Sequence, residues 1–219
     1  MRIFIASAKL DDIRWAHSHG LVDGVLTTPS LLTAQVHPAG ANDLLADICR
    51  VATFPVAVTV GAVNANDIYR DAREIAKLSD TVIVQIPFVE DAIGAMKRLR
   101  SEGVRVAATL VFNAAQAILA AKAGASYISP FVGRLDDVAT NGMELVREIV
   151  EIYDNYEFTT EVLVASCRHP IHIVEAARIG ADICTCPPAV IDQLFNHPLT
   201  NIGLEKFLKD WEKSQAVKA

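Results

Sequence analysis

Eight short runs of β-branched and apolar residues recur along this chain, each followed by a stretch that reads as helical. The strand-like runs are Ile3–Ala6, Gly24–Leu26, Val56–Val60, Thr81–Ile86, Arg105–Val111, Tyr127–Ser129, Glu161–Ala165 and Asp182–Cys186. Between them, Ala65–Leu78, Val89–Glu102, Ala114–Ala123 and His172–Ile179 carry apolar residues at helical spacing. Gly103, Gly124 and Gly180 each follow such a stretch, where a left-handed cap favours a residue without a Cβ. Strands alternating with helices pair in parallel, since each connection must cross back over the sheet. Eight is also the number that closes such a sheet on itself. The pattern therefore predicts an α/β fold, a single (β/α)8 TIM barrel. An open doubly wound sheet is the main competitor, but it normally uses fewer strands, and no glycine-rich phosphate turn follows the first strand here.

The chain has 219 residues, against the ~250 usual for this barrel and a lower limit of ~200, so its loops must be short. Residues 1–219 are expected to form one domain. Hydrophobic residues make up 52% and charged residues 21%, a composition for a buried core rather than for disorder. A net charge of −6 and a pI near 5.5 argue against nucleic acid or an anionic membrane as partner, because both attract basic surfaces. No apolar run reaches the ~18–20 residues of a membrane span. The opening run Met1–Ala6 is too short for a secretion signal. Cys49, Cys167, Cys184 and Cys186 lack the density of a disulfide scaffold and read as reduced thiols. A soluble, cytoplasmic protein is expected. Beyond the eighth unit, Gly203–Lys213 carries Leu204, Phe207, Leu208 and Trp211 as one apolar stripe. This extra C-terminal helix must pack on its own barrel or on another subunit.

Several stretches resemble the transaldolase family, in its short branch that includes fructose-6-phosphate aldolase. They are Gly20–Val25, Thr27-Thr28-Pro29-Ser30-Leu31, Ala121–Ala125, Ser129-Pro130-Phe131-Val132-Gly133-Arg134-Leu135-Asp136-Asp137, Ala165-Ser166-Cys167-Arg168-His169-Pro170, His197–Thr200 and Phe207…Asp210-Trp211. The likeness runs nearly end to end. It implies a barrel whose fourth strand ends in a lysine that forms an imine with a ketose carbonyl, the electron sink for carbon–carbon cleavage or formation. The family motif is close to Val-Lys-Ile-Pro, and here the place reads Val84-Gln85-Ile86-Pro87. A glutamine amide nitrogen is delocalised and cannot form that imine. Four further positions depart from the pattern. Ala6 stands at an aspartate position, Thr28 at an asparagine position, Thr59 where glutamate or glutamine is usual, and Ala107 where asparagine is usual; Thr109 is kept. Losing the lysine alone would strand a partly buried acid, which costs several kcal/mol or forces protonation. Joint replacement by Ala6 and Gln85 avoids that cost. Gln85, Thr28, Thr59 and Thr109 would then form a neutral, hydrogen-bonding floor.

The resemblance implies that the phosphate end survives, in Arg134, Ser166 and Arg168. Two guanidinium forks and a hydroxyl suit a tetrahedral dianion. The expected ligand is a phosphorylated sugar or similar small anion, with no metal or other cofactor. Asp136 and Asp137 read as a solvated loop that orients Arg134. Cys184 and Cys186 alternate onto one face of the eighth strand, without zinc-site spacing. Cys167, beside Arg168, is a nucleophile candidate if its thiol is lowered, although a packed core thiol is the simpler reading. Lys9 is the one substitute for the lost lysine, since Lys77, Lys97 and Lys122 fall on helices expected outside the barrel. Four functions follow. The first is a sugar-phosphate-binding pseudoenzyme or sensor. The others are a non-imine lyase or isomerase, a residual aldolase through another lysine, and a structural homo-oligomer built through the C-terminal helix.

Overall fold

The computed structural model describes residues 1–216. Its strands are β1 (Arg2–Ala6), β2 (Gly24–Thr27), β3 (Val56–Thr59), β4 (Val82–Pro87), β5 (Val106–Val111), β6 (Tyr127–Pro130), β7 (Glu161–Val164) and β8 (Ile183–Cys186). The helices are α1 (Leu10–His19), α2 (Pro29–Thr33), α3 (Ala41–Val51), α4 (Ala65–Ala76), α5 (Ala92–Ser101) and α6 (Ala114–Lys122). After them come α7 (Val132–Asp136), α8 (Gly142–Asn155), α9 (Pro170–Ile179), α10 (Pro188–Phe195) and α11 (Pro198–Ala216). The strands run parallel in the order β1 to β8, and β1 closes the ring by pairing with β8 from Arg2↔Ile183 to Ile5↔Cys186. The expected (β/α)8 barrel is the fold of the chain.

Alternation along each strand sorts the side chains into two layers. Inward positions Phe4, Leu26, Ala57, Ile83, Ala107, Tyr127, Leu163 and Ile183 fill the lumen, with Ala6 packed against them. Outward positions such as Ile5, Val25, Val58, Val84, Ile128, Val164, Cys184 and Cys186 join the layer between barrel and helices. Helix starts are set by short polar side chains. Asn64 accepts from the Asp67 N–H at 3.0 Å, and Asn113 from the Gln116 N–H at 2.8 Å.

Departures from the sequence-based boundaries are small and have local causes. α5 begins at Ala92 instead of Val89, because the Val89 N–H turns back on the Pro87 carbonyl at 3.0 Å. β5 loses register between Ala108 and Val111, where Leu110 takes a left-handed φ of 60° and is exposed. The tail helix is longer than Gly203–Lys213, since Pro198 starts it and supplies a preset φ at the first turn. Of the two packing sites expected for its stripe, the protein's own barrel is not used. Leu204, Phe207, Leu208 and Trp211 are all exposed, Phe207 by 72%. No helix among the described residues is long and apolar enough to cross a membrane.

The bottom of the lumen is tightly filled. A Cβ on Gly24 would lie 2.5 Å from the ring of Phe4, which is fully buried and has no open space to turn into. Overpacking of this kind costs about 1–3 kcal/mol. Gly24→Ala is therefore expected to lower the Tm by several degrees in calorimetry; a Tm equal to wild type would show that Phe4 is free to move.

Candidate functional site

A cavity of about 320 Å³ opens at the C-terminal ends of the strands, above the apolar filling of the lumen. Barrel sites are built at this face because the βα loops converge there. Its floor is made by inward strand ends: Ala6 from β1, Leu26 from β2, Thr59 from β3, Gln85 from β4, Thr109 from β5 and Thr185 from β8. Thr28, Arg134 and Ser166 enter the wall from the loops and α7. Seven of the eight predicted site residues thus meet around one cavity. Among the described residues that line it, Arg134 is the sole charged side chain, and none is a lysine, aspartate or glutamate.

Gln85 lies at the level of Thr59 and Ala107, its ladder neighbours on either side. It is almost wholly buried, so its amide must find partners within the barrel. Nε2 donates to Thr59 Oγ1 at 3.1 Å and makes a longer contact of 3.5 Å to the Thr27 carbonyl oxygen. The Thr59 hydroxyl donates to that same carbonyl at 3.3 Å. Thr28, half-buried, caps α2 by accepting from the Leu31 N–H at 3.3 Å. Thr109 is buried, with its side chain in the wall. One buried hydroxyl, Ser129 Oγ, has no hydrogen-bond partner among the described residues.

The rim near Arg134 depends on two loops that touch. Phe131 bridges to Ala165 in parallel, and the Val132 N–H donates to the Ala165 carbonyl at 3.1 Å. This joins the start of α7 to the end of β7. Ser166 then takes a φ of 65°, a left-handed backbone that costs a serine free energy and collects at functional sites. Gly133 allows the approach. A Cβ there would come 2.5 Å from the Ser166 carbonyl oxygen and 2.7 Å from Arg168 Nε.

Arg168 is the exception among the expected phosphate residues. It does not line the cavity; its guanidinium grips both carboxylate oxygens of Asp137, with Nη2 to Oδ2 at 2.7 Å. That fork holds the Asp137 carboxyl below the usual carboxylate range. The acidic pair therefore does not orient Arg134, as the sequence led one to expect. Asp137 takes Arg168, and Asp136 takes His172, whose Nε2 lies 3.0 Å from Oδ2. His172 Nδ1 accepts from the Arg168 N–H at 3.3 Å. A single neutral tautomer, protonated on Nε2, satisfies both contacts. Burial agrees with it by pushing the imidazole pKa down, helped by His169 stacked 3.7 Å away. Asp136 and His172 were absent from the expected site and act by fixing the Ser166–Arg168 loop.

The remaining candidates fall away from the cavity or lose reactivity. Cys167 lines the wall, but burial pushes its thiol pKa up, the opposite of an activated nucleophile. Burial also pushes Cys184 up to about 12 and Cys186 up to about 11. Lys9 is exposed ahead of α1, 3.8 Å from Asp12, and does not reach the wall. Lys97 and Lys122 are exposed on α5 and α6, and Lys77 is exposed just past the end of α4. Nine wall residues were not candidates in the sequence: Leu26, Ser30, Leu31, Pro87, Leu110, Phe131, Ala165, Thr185 and Pro187. Alternation along β8 could have supplied Thr185, which sits between two outward cysteines; the turn at Leu110 carries no such signal.

Comparison with known proteins agrees with this geometry. The family model described as Transaldolase/Fructose-6-phosphate aldolase matches residues 3–218. A probable transaldolase of Thermodesulfovibrio yellowstonii is 49% identical over 213 residues, covering 97% of this chain and 99% of that protein. Another from Myxococcus xanthus is 50% identical over 214 residues, covering 97% and 95%. A third, from Aquifex aeolicus, is 48% identical over 213 residues, covering 97% of each. With the barrel closed and a shared family pattern spanning almost its whole length, the chain belongs to the transaldolase/fructose-6-phosphate aldolase family.

Proposed function

We propose that this barrel binds a phosphorylated sugar, or a similar small anion, and has lost imine-based aldol chemistry, so that it acts as a pseudoenzyme or sensor. One observation carries the reading: a cavity wall on which Arg134 is the single cation among the described residues, sharing the cavity with Ser166 and a floor without charge. A guanidinium and a hydroxyl at one end suit a phosphate, and a neutral floor suits an uncharged, oxygen-bearing body. Ser166 belongs to the loop fixed by Gly133, Asp136 and His172, so its backbone is placed before any ligand arrives. Such preorganisation reduces the ordering that binding would otherwise require.

The relatives are named probable transaldolases. A transaldolase reaction through an imine requires a nucleophilic amine in the cavity. Gln85 occupies the place where the family resemblance sets that amine, and its nitrogen is engaged by Thr59 and Thr27. Lys9 is held outside the wall. A non-imine lyase or isomerase would need a general base near neutral pH. Among the described residues that line the cavity, the one titratable neighbour besides Arg134 is Cys167, whose thiol is pushed up. Binding without imine turnover fits the wall best. Arg168 takes part only if an arriving anion draws it from Asp137. That pair is half exposed and weakly held, as ion pairs in water are.

The same reading includes a homo-oligomer joined through α11, whose exposed Leu204, Phe207, Leu208 and Trp211 form a stripe too apolar to be left in water. A cytoplasmic location accords with four buried, unpaired cysteines, as reducing compartments keep them.

Fructose 6-phosphate is expected to bind saturably in calorimetry, while a coupled assay detects no release of triose phosphate. Losing a charged hydrogen bond costs about 1.5–3 kcal/mol, so Arg134→Ala should weaken binding by about 10- to 100-fold. Unchanged affinity in that variant, or measurable cleavage by the wild type, would contradict the reading. Deleting residues 204–219 is expected to reduce the mass seen by light scattering; an unchanged mass would remove α11 from the assembly.

A further inference from the structure

We infer that the cavity selects the alcohol form of a phosphorylated small molecule over the matching ketone, because Gln85 presents it with a carbonyl oxygen. The inference rests on the phosphate-binding reading above and adds what lies at the other end of the ligand. The sense of the Gln85 amide follows from its neighbours. The Thr27 main-chain oxygen can only accept, and it already takes the Thr59 hydroxyl hydrogen at 3.3 Å. Thr59 Oγ1, its hydrogen so used, is left to accept as well. Both atoms therefore require the amide N–H2 group, and Nε2 lies 3.1 Å from Thr59 Oγ1 and 3.5 Å from the Thr27 oxygen. Oε1 is turned away from them and takes no hydrogen bond from the described residues. It is an acceptor with no donor of its own, on a residue that lines the cavity.

A ligand group resting against Oε1 must donate. A hydroxyl does so and keeps its own lone pairs for Thr109, whose hydroxyl can donate or accept. A ketone oxygen in that place sets acceptor against acceptor, in a floor without a lysine or other cation to relieve it. Buried groups left unpaired are the strongest basis for rejecting a close analogue. The ligand class is thus the phosphate monoester of an open-chain polyol. An amide anchored in this sense also works against the carbonyl that an aldol reaction would need at the same place.

The test is an equilibrium titration of wild-type protein with two matched pairs, alongside inorganic phosphate. The pairs are glycerol 3-phosphate with dihydroxyacetone phosphate, and propane-1,2-diol 1-phosphate with hydroxyacetone phosphate, neither ketone being able to close into a ring. The alcohol of at least one pair is expected to bind about tenfold tighter or more than its ketone, and Gln85→Met, which removes the acceptor, should bring that ratio close to one. Inorganic phosphate that binds while both pairs show equal or ketone-favouring affinity would overturn the inference alone, as would a preference that survives in Gln85→Met. If neither phosphate nor any of the four esters binds, the phosphate reading fails and this inference fails with it.

Discussion

The pairing of β1 with β8 is the constraint on which everything else in this molecule depends. Until it forms, the inward side chains of the eight strands belong to an open sheet and face no common centre. Once it forms, they become a filled cylinder. Phe4, Leu26, Ile83, Leu163 and Ile183 take up its lower part, and the space that remains is decided by what stands on the next inward positions. Those are Ala6, Thr59, Gln85, Thr109 and Thr185, small or uncharged in every case. The cavity is the volume above a packed apolar plug, and the size of these few side chains sets its depth.

Charge is confined to one edge of that cavity. Arg134 supplies it, and the loop bearing Ser166 is brought alongside by Gly133 and joined to the end of α7 by the His172–Asp136 hydrogen bond and the half-exposed Arg168–Asp137 ion pair. The floor is balanced without charge. Gln85 Nε2, Thr59 and the Thr27 carbonyl pair with one another, Gln85 Oε1 is left open, and no acid among the described residues lines the cavity. This explains why the changes proposed at positions 6 and 85 belong together. An aspartate at position 6 with glutamine at position 85 would bury an unpaired carboxylate, and a lysine at 85 with Ala6 would bury an unpaired ammonium. The neutral pair is the state that leaves neither.

Much of the barrel was legible in the sequence, because a strand buried on both faces must be apolar and β-branched throughout. That signature marks Val56–Val60, Thr81–Ile86 and Arg105–Val111, which β3, β4 and β5 match to within a residue at each end. Glycine after a helix was equally plain, and Gly103, Gly124 and Gly180 all adopt positive φ. What stayed hidden depends on contacts between distant parts of the chain. Arg134 stands two residues from Asp136, yet the arginine that meets this acidic pair is Arg168, on the next strand's loop. The left-handed turns at Leu110 and Ser166 are imposed by tertiary packing on residues that do not favour them, so no local preference announces them. The site positions were legible only through resemblance to a family, since nothing in the periodicity separates Gln85 from any other inward residue of β4.

The proposed loss of imine chemistry is tested most directly by reductive trapping. Wild-type protein is mixed with fructose 6-phosphate or dihydroxyacetone, reduced with sodium borohydride, and weighed intact by mass spectrometry. A barrel whose cavity holds no amine gives the mass of the unmodified chain at every substrate concentration. A stable adduct of one sugar fragment per chain, mapped to Lys9 or any other lysine and growing with substrate, would contradict that loss and return the protein to the aldolases.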